Sequence, residues 1–199
     1  PSLVGSEMCI RDSGRPRLGV LIGAGNLDSM VAHYTAAKKR RSEDFYSPGK
    51  KAGLRPDRAT IVYSNRAREA FGADVPIIIG GLEASLRRFA HYDYWDDKVR
   101  RSILVDSGAD MLVYGMAEYA EREIAKRLKK KIPVSEMRDI RGTAFLAHDA
   151  SECAFDSVTL PSFADVCDSK RFYADATRIE YAEHDPVRGR ALIQEHDGR

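Results

Sequence analysis

The chain has 199 residues, of which 43% are hydrophobic and 31% charged, and its formal net charge is +2. This composition is typical of a globular protein with a proper core, and the charge gives no global bias toward nucleic acid or an anionic membrane. No apolar run approaches the ~20 residues of a membrane span, and the two cysteines after residue 13, Cys153 and Cys167, suit a reducing compartment, so we predict a cytoplasmic protein.

The first thirteen residues differ in character from the rest. Leu3–Asp12 reads LVGSEMCIRD and resembles a translated transposase-type sequencing adaptor, with a short flexible leader as the alternative. It lacks the basic start and the apolar core of ~7–15 residues that define a signal peptide. We therefore predict a non-native leader over residues 1–13 and a reading frame that opens inside a gene.

The first predicted strand is Leu18–Ile22, and the glycine turn Gly23–Asn26 follows it. A helix comes next, with Asp28 or Asn26 as its N-cap and an apolar face at helical spacing, formed by Leu27, Met30, Val31 and Tyr34. The G-x-G turn suggests a dinucleotide site, but Asp28 stands where that motif has Gly or Ala and would repel a pyrophosphate. The pattern favours a tight, capped strand–helix turn.

A long polar connection spans residues 38–56. From Lys38 to Lys51 it holds six basic and two acidic residues, a local net charge of +4. A solvated loop is the default interpretation, but long loops in compact domains are uncommon and often functional. Contact with a phosphate or a cofactor tail is therefore the alternative.

The central element is the apolar run Pro76–Ile79, which ends at Gly80 and Gly81. A β-branched run of this kind is typical of a strand buried on both faces. The helix predicted before it covers Asp57–Phe71, capped by Asp57, ended by Gly72, and with an inner face formed by Val62, Tyr63, Arg66 and Ala70. Another helix is compatible with the residues from Leu82 onward.

A dense cluster of reactive side chains follows the central strand: Arg87, Arg88, His91, Tyr92, Asp93, Tyr94 and Trp95. His91 and Asp93 could form an oriented imidazole, and a packed aromatic turn explains the same residues equally well. Sequence alone does not decide which of these side chains converge.

The remaining elements alternate in type. We predict a helix over Lys98–Asp106, a strand over Asp110–Tyr114 and a helix over Met116–Lys131, whose acidic start and basic end complement its dipole. Two strand-like pieces, Arg141–Leu146 and Asp156–Leu160, precede one long final helix whose apolar positions are Phe163, Val166, Cys167, Ala174 and Tyr181.

The three buried runs predict adjacent parallel strands of an α/β sheet, because right-handed crossovers join them. The turns that follow them, Gly23–Asp28, Gly80–Ser85 and Gly115–Glu118, should then meet at one sheet end, where such sheets bind ligands. Together with the reactive cluster, this edge gives the candidate cofactor-binding residues Gly23, Gly25, Asn26, Asp28, Gly80, Gly81, Glu83, Ser85, Arg87, Arg88 and His91.

Three long stretches carry a family resemblance. They read GAGNLDSMVAHYTAAKKRRSEDFYSPGKKAGLRPDRATIVYSNRAREAF, VPIIIGGLEASLRRFAHYDYWDDKVRRSILVDSGADMLVYGMAE and GRALIQEHD. They resemble the YgiQ-type radical S-adenosylmethionine (SAM) proteins, and the likeness runs over nearly everything from Gly14 to Arg199.

The resemblance implies a cobalamin-binding-like, partial doubly wound (Rossmann- or flavodoxin-like) α/β region, whose first strands would lie upstream and pair with Leu18–Ile22. It also implies a downstream radical SAM barrel, in which C-x-x-x-C-x-x-C holds a four-iron, four-sulfur cluster and SAM supplies the radical. Neither that motif nor the D-x-H-x-x-G of cobalamin-dependent relatives occurs in this sequence. We therefore expect no cofactor on this chain. We expect an iron–sulfur cluster and SAM on the full-length protein, and we do not count cobalamin among the expected cofactors.

These expectations give three regions: the leader 1–13, an α/β region over 14–150, and a connection over 151–199 toward the barrel. The first functional hypothesis is an accessory domain of a radical SAM protein, inactive alone, with that barrel as partner and a substrate that the sequence does not identify. The second is a self-contained module for a nucleotide-like or phosphate-bearing ligand. Nucleic-acid binding through the basic loop is a weaker third, and no membrane partner is expected.

Overall fold

A computed structural model of the chain describes residues 14–197. The strands, in chain order, are β1 Val20–Gly23, β2 Ile77–Gly80, β3 His91–Asp93, β4 Lys98–Arg100, β5 Met111–Val113, β6 Thr143–Ala144, β7 Ser157–Thr159 and β8 Ala191–Ile193. The α-helices are α1 Ser29–His33, α2 Ala59–Phe71, α3 Gly81–Leu86, α4 Ile103–Ser107, α5 Glu118–Lys129, α6 Phe163–Asp168 and α7 Lys170–Ala182. Short 3₁₀ turns lie at Pro48–Lys50, Val134–Glu136 and Ala150–Glu152.

The main sheet confirms the predicted parallel core. Its strand order is β1-β2-β5-β6, and β1, β2 and β5 run parallel while β6 pairs antiparallel with β5. The register aligns Val20 with Ile77 and Gly23 with Gly80. The strand ends and their glycine turns therefore meet at one edge of a mostly parallel α/β sheet, as the sequence predicts.

Two apolar clusters cover the two faces of this sheet. One joins Ile22, Ile77, Ile79 and Leu112 to helices α2, α3 and α4. The other packs Ile78, Met111 and Val113 against α5 and the turn after it. Coverage of the second face stops short of β1, because Leu21 is 61% exposed although its register partner Ile78 is only 2% exposed.

The helix predicted over Lys98–Asp106 is wrong in its first half. Lys98–Arg100 forms β4, which pairs antiparallel with β3 to make a hairpin. Helix α4 begins later, because Ser102 caps it by accepting a hydrogen bond from the amide of Leu104. Asp93 drives the tight turn of this hairpin, since its carboxylate accepts the amides of Trp95 and Asp96.

The single long final helix is also wrong. Ser169 has an extended backbone and separates α6 from α7, ending one helix and capping the next through the amide of Arg171. The pair packs with Ala90 in a third small cluster, while β7 and β8 form a separate two-stranded parallel sheet.

The inner faces of two predicted helices need correction. Val31 on α1 is exposed, and His33 is buried in its place. On α2 the fully buried positions are small ones, Ala59, Thr60, Ser64 and Ala67, rather than Val62, Arg66 and Ala70. Ser64 is tolerated there because its hydroxyl donates to the carbonyl oxygen of Thr60, which satisfies the buried group.

Two further predictions concern α2 and the leader. The cap of α2 is Arg58 in a left-handed conformation, not Asp57, while Gly72 ends the helix as predicted. The leader over residues 1–13 lies outside the described residues, and the division at residue 150 stays a prediction. Within residues 14–197, no helix has the length and apolar character needed to cross a membrane.

Candidate functional site

The candidate site lies where the parallel strands end. Gly23 and Gly80 are register partners, and a Cβ on Gly80 would lie 3.2 Å from the carbonyl oxygen of Val113. Gly81 has φ +81°, which favours glycine, and opens α3 directly above the strand. Close strand packing and a sharp turn therefore account for these glycines.

Glu83 is the central side chain of the site. It is 2% exposed, and its two carboxylate oxygens accept the amides of Ser29 at 2.8 Å and Thr60 at 3.0 Å. Those amides belong to the first turns of α1 and α2, so one carboxylate on α3 caps two other helices. The Ser29 hydroxyl completes the arrangement by accepting the amide of Ala59 at 3.1 Å.

Asp28 accepts hydrogen bonds from two further backbone amides at the start of α1. Its Oδ1 accepts the amides of Met30 at 2.9 Å and Val31 at 3.2 Å, which confirms it as the N-cap. Its Oδ2 accepts a hydrogen bond from the guanidinium of Arg87, which also ion-pairs with it. The three predicted residues Asp28, Glu83 and Arg87 therefore meet in one buried network.

The other predicted residues lie around this network. Asn26 is exposed, and Gly25 has φ +100° beside Arg55. The Ser85 hydroxyl donates to the carbonyl oxygen of Gly81 at 2.8 Å, and Arg88 stacks on the ring of Tyr114 and pairs with Glu180. The cofactor-binding role of all these residues stays a prediction.

A shallow cleft adjoins the network, and the space inside it that a water molecule can enter is about 10 Å³, which is room for about one water and not for a drug-sized ligand. It is lined by Arg58, Ile61, Glu83, Arg87, His91, Asp93, Arg100, Ile103 and Asp106. Its charges are internally matched: Arg58 pairs with Asp93 and Asp96, and Arg100 pairs with Asp106 at 3.3 Å. Burial raises the pKa of Asp93, but its hydrogen bonds with Arg58 and two amides outweigh this and lower that pKa overall.

His91 lines this cleft without the predicted Asp93 partner. Its Nδ1 lies 3.1 Å from the carbonyl oxygen of Phe89, and burial lowers the pKa of the imidazole. The cleft therefore holds a neutral imidazole among paired charges.

An oriented imidazole does exist, at a histidine that sequence reasoning did not select. His33 Nδ1 lies 2.7 Å from Asp57 Oδ1, and the Tyr34 hydroxyl donates to Asp57 Oδ2 at 2.7 Å. Burial raises the pKa of Asp57, but the bonds from Tyr34 and His33 lower it overall, so this carboxylate is ionised. Because 24 residues separate His33 from Asp57, no local motif could have paired them.

The chain is similar to known proteins along nearly all of its length. Residues 3–199 match the family model described as Radical SAM N-terminal. A UPF0313 protein of Clostridium perfringens strain SM101 is 57% identical over 94% of this chain, and one of Clostridium botulinum strain 657 is 53% identical over 94%. The chain spans only 28% and 29% of those relatives, respectively, and no solved structure matches it.

Proposed function

Because the chain belongs to the Radical SAM N-terminal family of UPF0313, or YgiQ-type, proteins, we propose that it is the accessory α/β domain of a radical SAM iron–sulfur protein. In this proposal the cluster and SAM lie on the part of the protein that follows. The observation that carries it is the family match over residues 3–199. The cluster and SAM, when bound, supply the radical chemistry.

The residues of this chain do not fit a radical SAM cluster. Such a cluster needs three thiolates, and the sequence after residue 13 has two cysteines, Cys153 and Cys167, both of which are free. Within residues 14–197, no three His, Cys, Asp or Glu side chains are grouped so that they could hold a metal ion. We therefore derive no reaction step from this domain.

The geometry of the sheet edge supports a scaffold role over a nucleotide module. In nucleotide-binding α/β folds, a phosphate sits on the helix N-terminus that follows a strand. Here the carboxylates of Asp28 and Glu83 accept amides at the starts of α1 and α2, positions an anion would need. A phosphate placed there would have to displace these carboxylates, and it would meet Glu83 close by in a poorly hydrated site, since Arg87 pairs with Asp28.

The test uses the full-length protein and its own cysteines. We expect the double substitution Cys153→Ser and Cys167→Ser to leave the iron content and SAM cleavage of the anaerobically reconstituted protein unchanged, because the ligands lie outside this region. Loss of the cluster in the double variant would contradict the assignment.

A further inference from the structure

The basic loop of residues 38–56 carries cations that no carboxylate of the structure matches. Residues 38–57 hold seven basic and three acidic residues, a net charge of +4. Two of the three carboxylates already have partners, because Asp44 pairs with Arg55 at 2.8 Å and Asp57 lies 2.7 Å from the ring of His33. Among the described residues, five cations of the loop form no ion pair: Lys38, Lys39, Arg41, Lys50 and Lys51.

Two of these cations lie over aromatic rings. Lys50 Nζ is 5.0 Å from the centroid of the Phe45 ring, and Lys38 Nζ is 4.8 Å from that of Tyr94. Lys38 Nζ also donates to the carbonyl oxygen of Trp95 at 3.2 Å. Rings and carbonyl oxygens hold an ammonium group in place without neutralising its charge. An anion that approaches the loop can therefore still pair with these side chains.

The rings of this surface are open to solvent. Phe45 is 70% exposed, and Tyr46 and Tyr94 are each 48% exposed. A single exposed ring needs no explanation. Rings that alternate with unmatched cations are different, because this is the combination with which proteins bind single-stranded nucleic acid: the rings stack on bases and the cations pair with phosphates.

A buried carboxylate fixes the turn that carries Phe45. Asp44 is 2% exposed, and Arg55 donates to both of its oxygens at 2.8 and 2.9 Å. The same carboxylate accepts the amide of Tyr46 at 3.0 Å and the hydroxyl of Ser47 at 2.7 Å. The turn is therefore held from its inner side, while its rings and cations remain on the outside. Long loops that are ordered in this way are often functional.

The loop and the hairpin of β3 and β4 form one continuous surface. The ring of Tyr34 contacts both the guanidinium of Arg40, at 5.6 Å, and the ring of Trp95 at the hairpin tip, at 5.7 Å. Arg40 also lines the same small cavity as Asp44, so the two turns of the loop adjoin each other.

We propose that the basic loop of residues 38–56, together with the tip of the β3–β4 hairpin, binds single-stranded nucleic acid. Bases stack on Phe45, Tyr46 and Tyr94, and phosphates pair with the five unmatched cations. A duplex hides the faces of its bases, so the rings select single strands. A lipid surface fits less well, since the helical element of the loop is the three-residue turn Pro48–Lys50, too short for an amphipathic interfacial helix. This binding goes beyond the accessory role proposed above and does not depend on it.

The first test measures the fluorescence anisotropy of a labelled single-stranded RNA of about 12 nucleotides, titrated with the full-length protein. We expect Phe45→Leu to weaken binding about tenfold, because leucine keeps the apolar area but has no ring face for a base. Phe45→Trp keeps a ring and should retain the affinity. Tyr119→Leu is the matched control, since Tyr119 is 68% exposed on α5 and lies under Arg122, outside the loop, and it should leave binding unchanged. An unlabelled duplex of the same sequence should compete more weakly than the single strand.

The second test measures the salt dependence of the same binding. Lys50→Gln should reduce the slope of log K against log salt concentration by about 0.7, the value for one phosphate contact with a single strand. Lys129→Gln removes the same charge from the exposed end of α5 and should leave the slope unchanged.

Four outcomes would overturn the site. They are no binding of the RNA, equal binding by Phe45→Leu and the parent, equal effects of Lys50→Gln and Lys129→Gln on the slope, and equal competition by the duplex. Binding of phosphatidylserine vesicles without binding of the RNA would instead assign the surface to a membrane. Phe45 and Lys50 are exposed, so their substitution leaves the core intact. None of these measurements uses SAM cleavage, so failure here is distinguishable from failure of the radical SAM assignment.

Discussion

Replacing Glu83 with alanine should destabilise the first turns of two helices, α1 and α2. The carboxylate satisfies the amides of Ser29 and Thr60, both fully buried residues. Each unsatisfied buried donor costs ~1–3 kcal/mol, so losing both costs ~2–6 kcal/mol. Total domain stabilities are ~5–15 kcal/mol, which makes Glu83→Ala a severe substitution.

Hydrogen exchange of the full-length protein gives the most direct assay. A loss of 2 kcal/mol or more at the first turns of α1 and α2 accelerates exchange there roughly 30-fold or more, at tenfold per 1.4 kcal/mol. Glu69→Ala is the matched control on α2, because Glu69 is exposed and pairs with Arg66 at the surface. It should change local stability by no more than ~1 kcal/mol. If peptides covering Ser29 and Thr60 exchange at the same rate in Glu83→Ala as in the parent, the capping argument is wrong.

Two other predictions concern a buried ion pair and the sheet edge. Arg55→Met should destabilise the protein by ~3–5 kcal/mol in chemical denaturation near neutral pH, because it leaves Asp44 as an unpaired buried charge. Burial raises the pKa of Asp44, but hydrogen bonds from Arg55, Ser47 and the Tyr46 amide lower it overall. The stabilisation by this carboxylate is therefore complete above its ordinary pKa of 3.8 and is lost as the pH falls below that value. If the free energies of unfolding of the parent and of Arg55→Met differ by the same amount at acid pH as at neutral pH, this prediction is wrong. Residues 14–199 expressed alone should be insoluble or molten, and the upstream part of the protein should restore their folding. The reason is that Leu21 is exposed and the outer edge of β1 is unpaired among the described residues, and ~200 Å² of lost apolar cover costs ~5 kcal/mol. A sharp thermal unfolding transition from a monomeric preparation would refute this prediction.

The sheet could be predicted because its signal is local. Runs such as Ile77–Ile79 are β-branched and end at glycines, so strand, turn and direction follow from a few neighbouring residues. The missed hairpin shows the limit of such signals. Lys98–Arg100 has a helix-compatible composition, and only its pairing with His91–Asp93 makes it a strand.

The polar site was only partly predictable for the same reason. The sequence narrows the cap of α1 to Asp28 or Asn26, because a cap accepts amides only two and three residues away, as Asp28 does from Met30 and Val31. Glu83 was selected for its place after the glycine turn, but its partners lie 54 and 23 residues distant and its role depends on tertiary structure. His33 stands at a helix position that the apolar pattern left to solvent, and the carboxylate that orients it had been assigned to a different helix.

The long sequence separation between Glu83 and Ser29 also determines when α1 can fold during synthesis. Ser29 is made 54 residues before the carboxylate that caps it, an interval of ~3–11 s at ~5–20 residues per second. Helix α1 has five residues, too few to persist on its own in water. The α1 segment therefore stays unfolded until β2 and α3 have left the ribosome, and chaperones have those seconds in which to bind it.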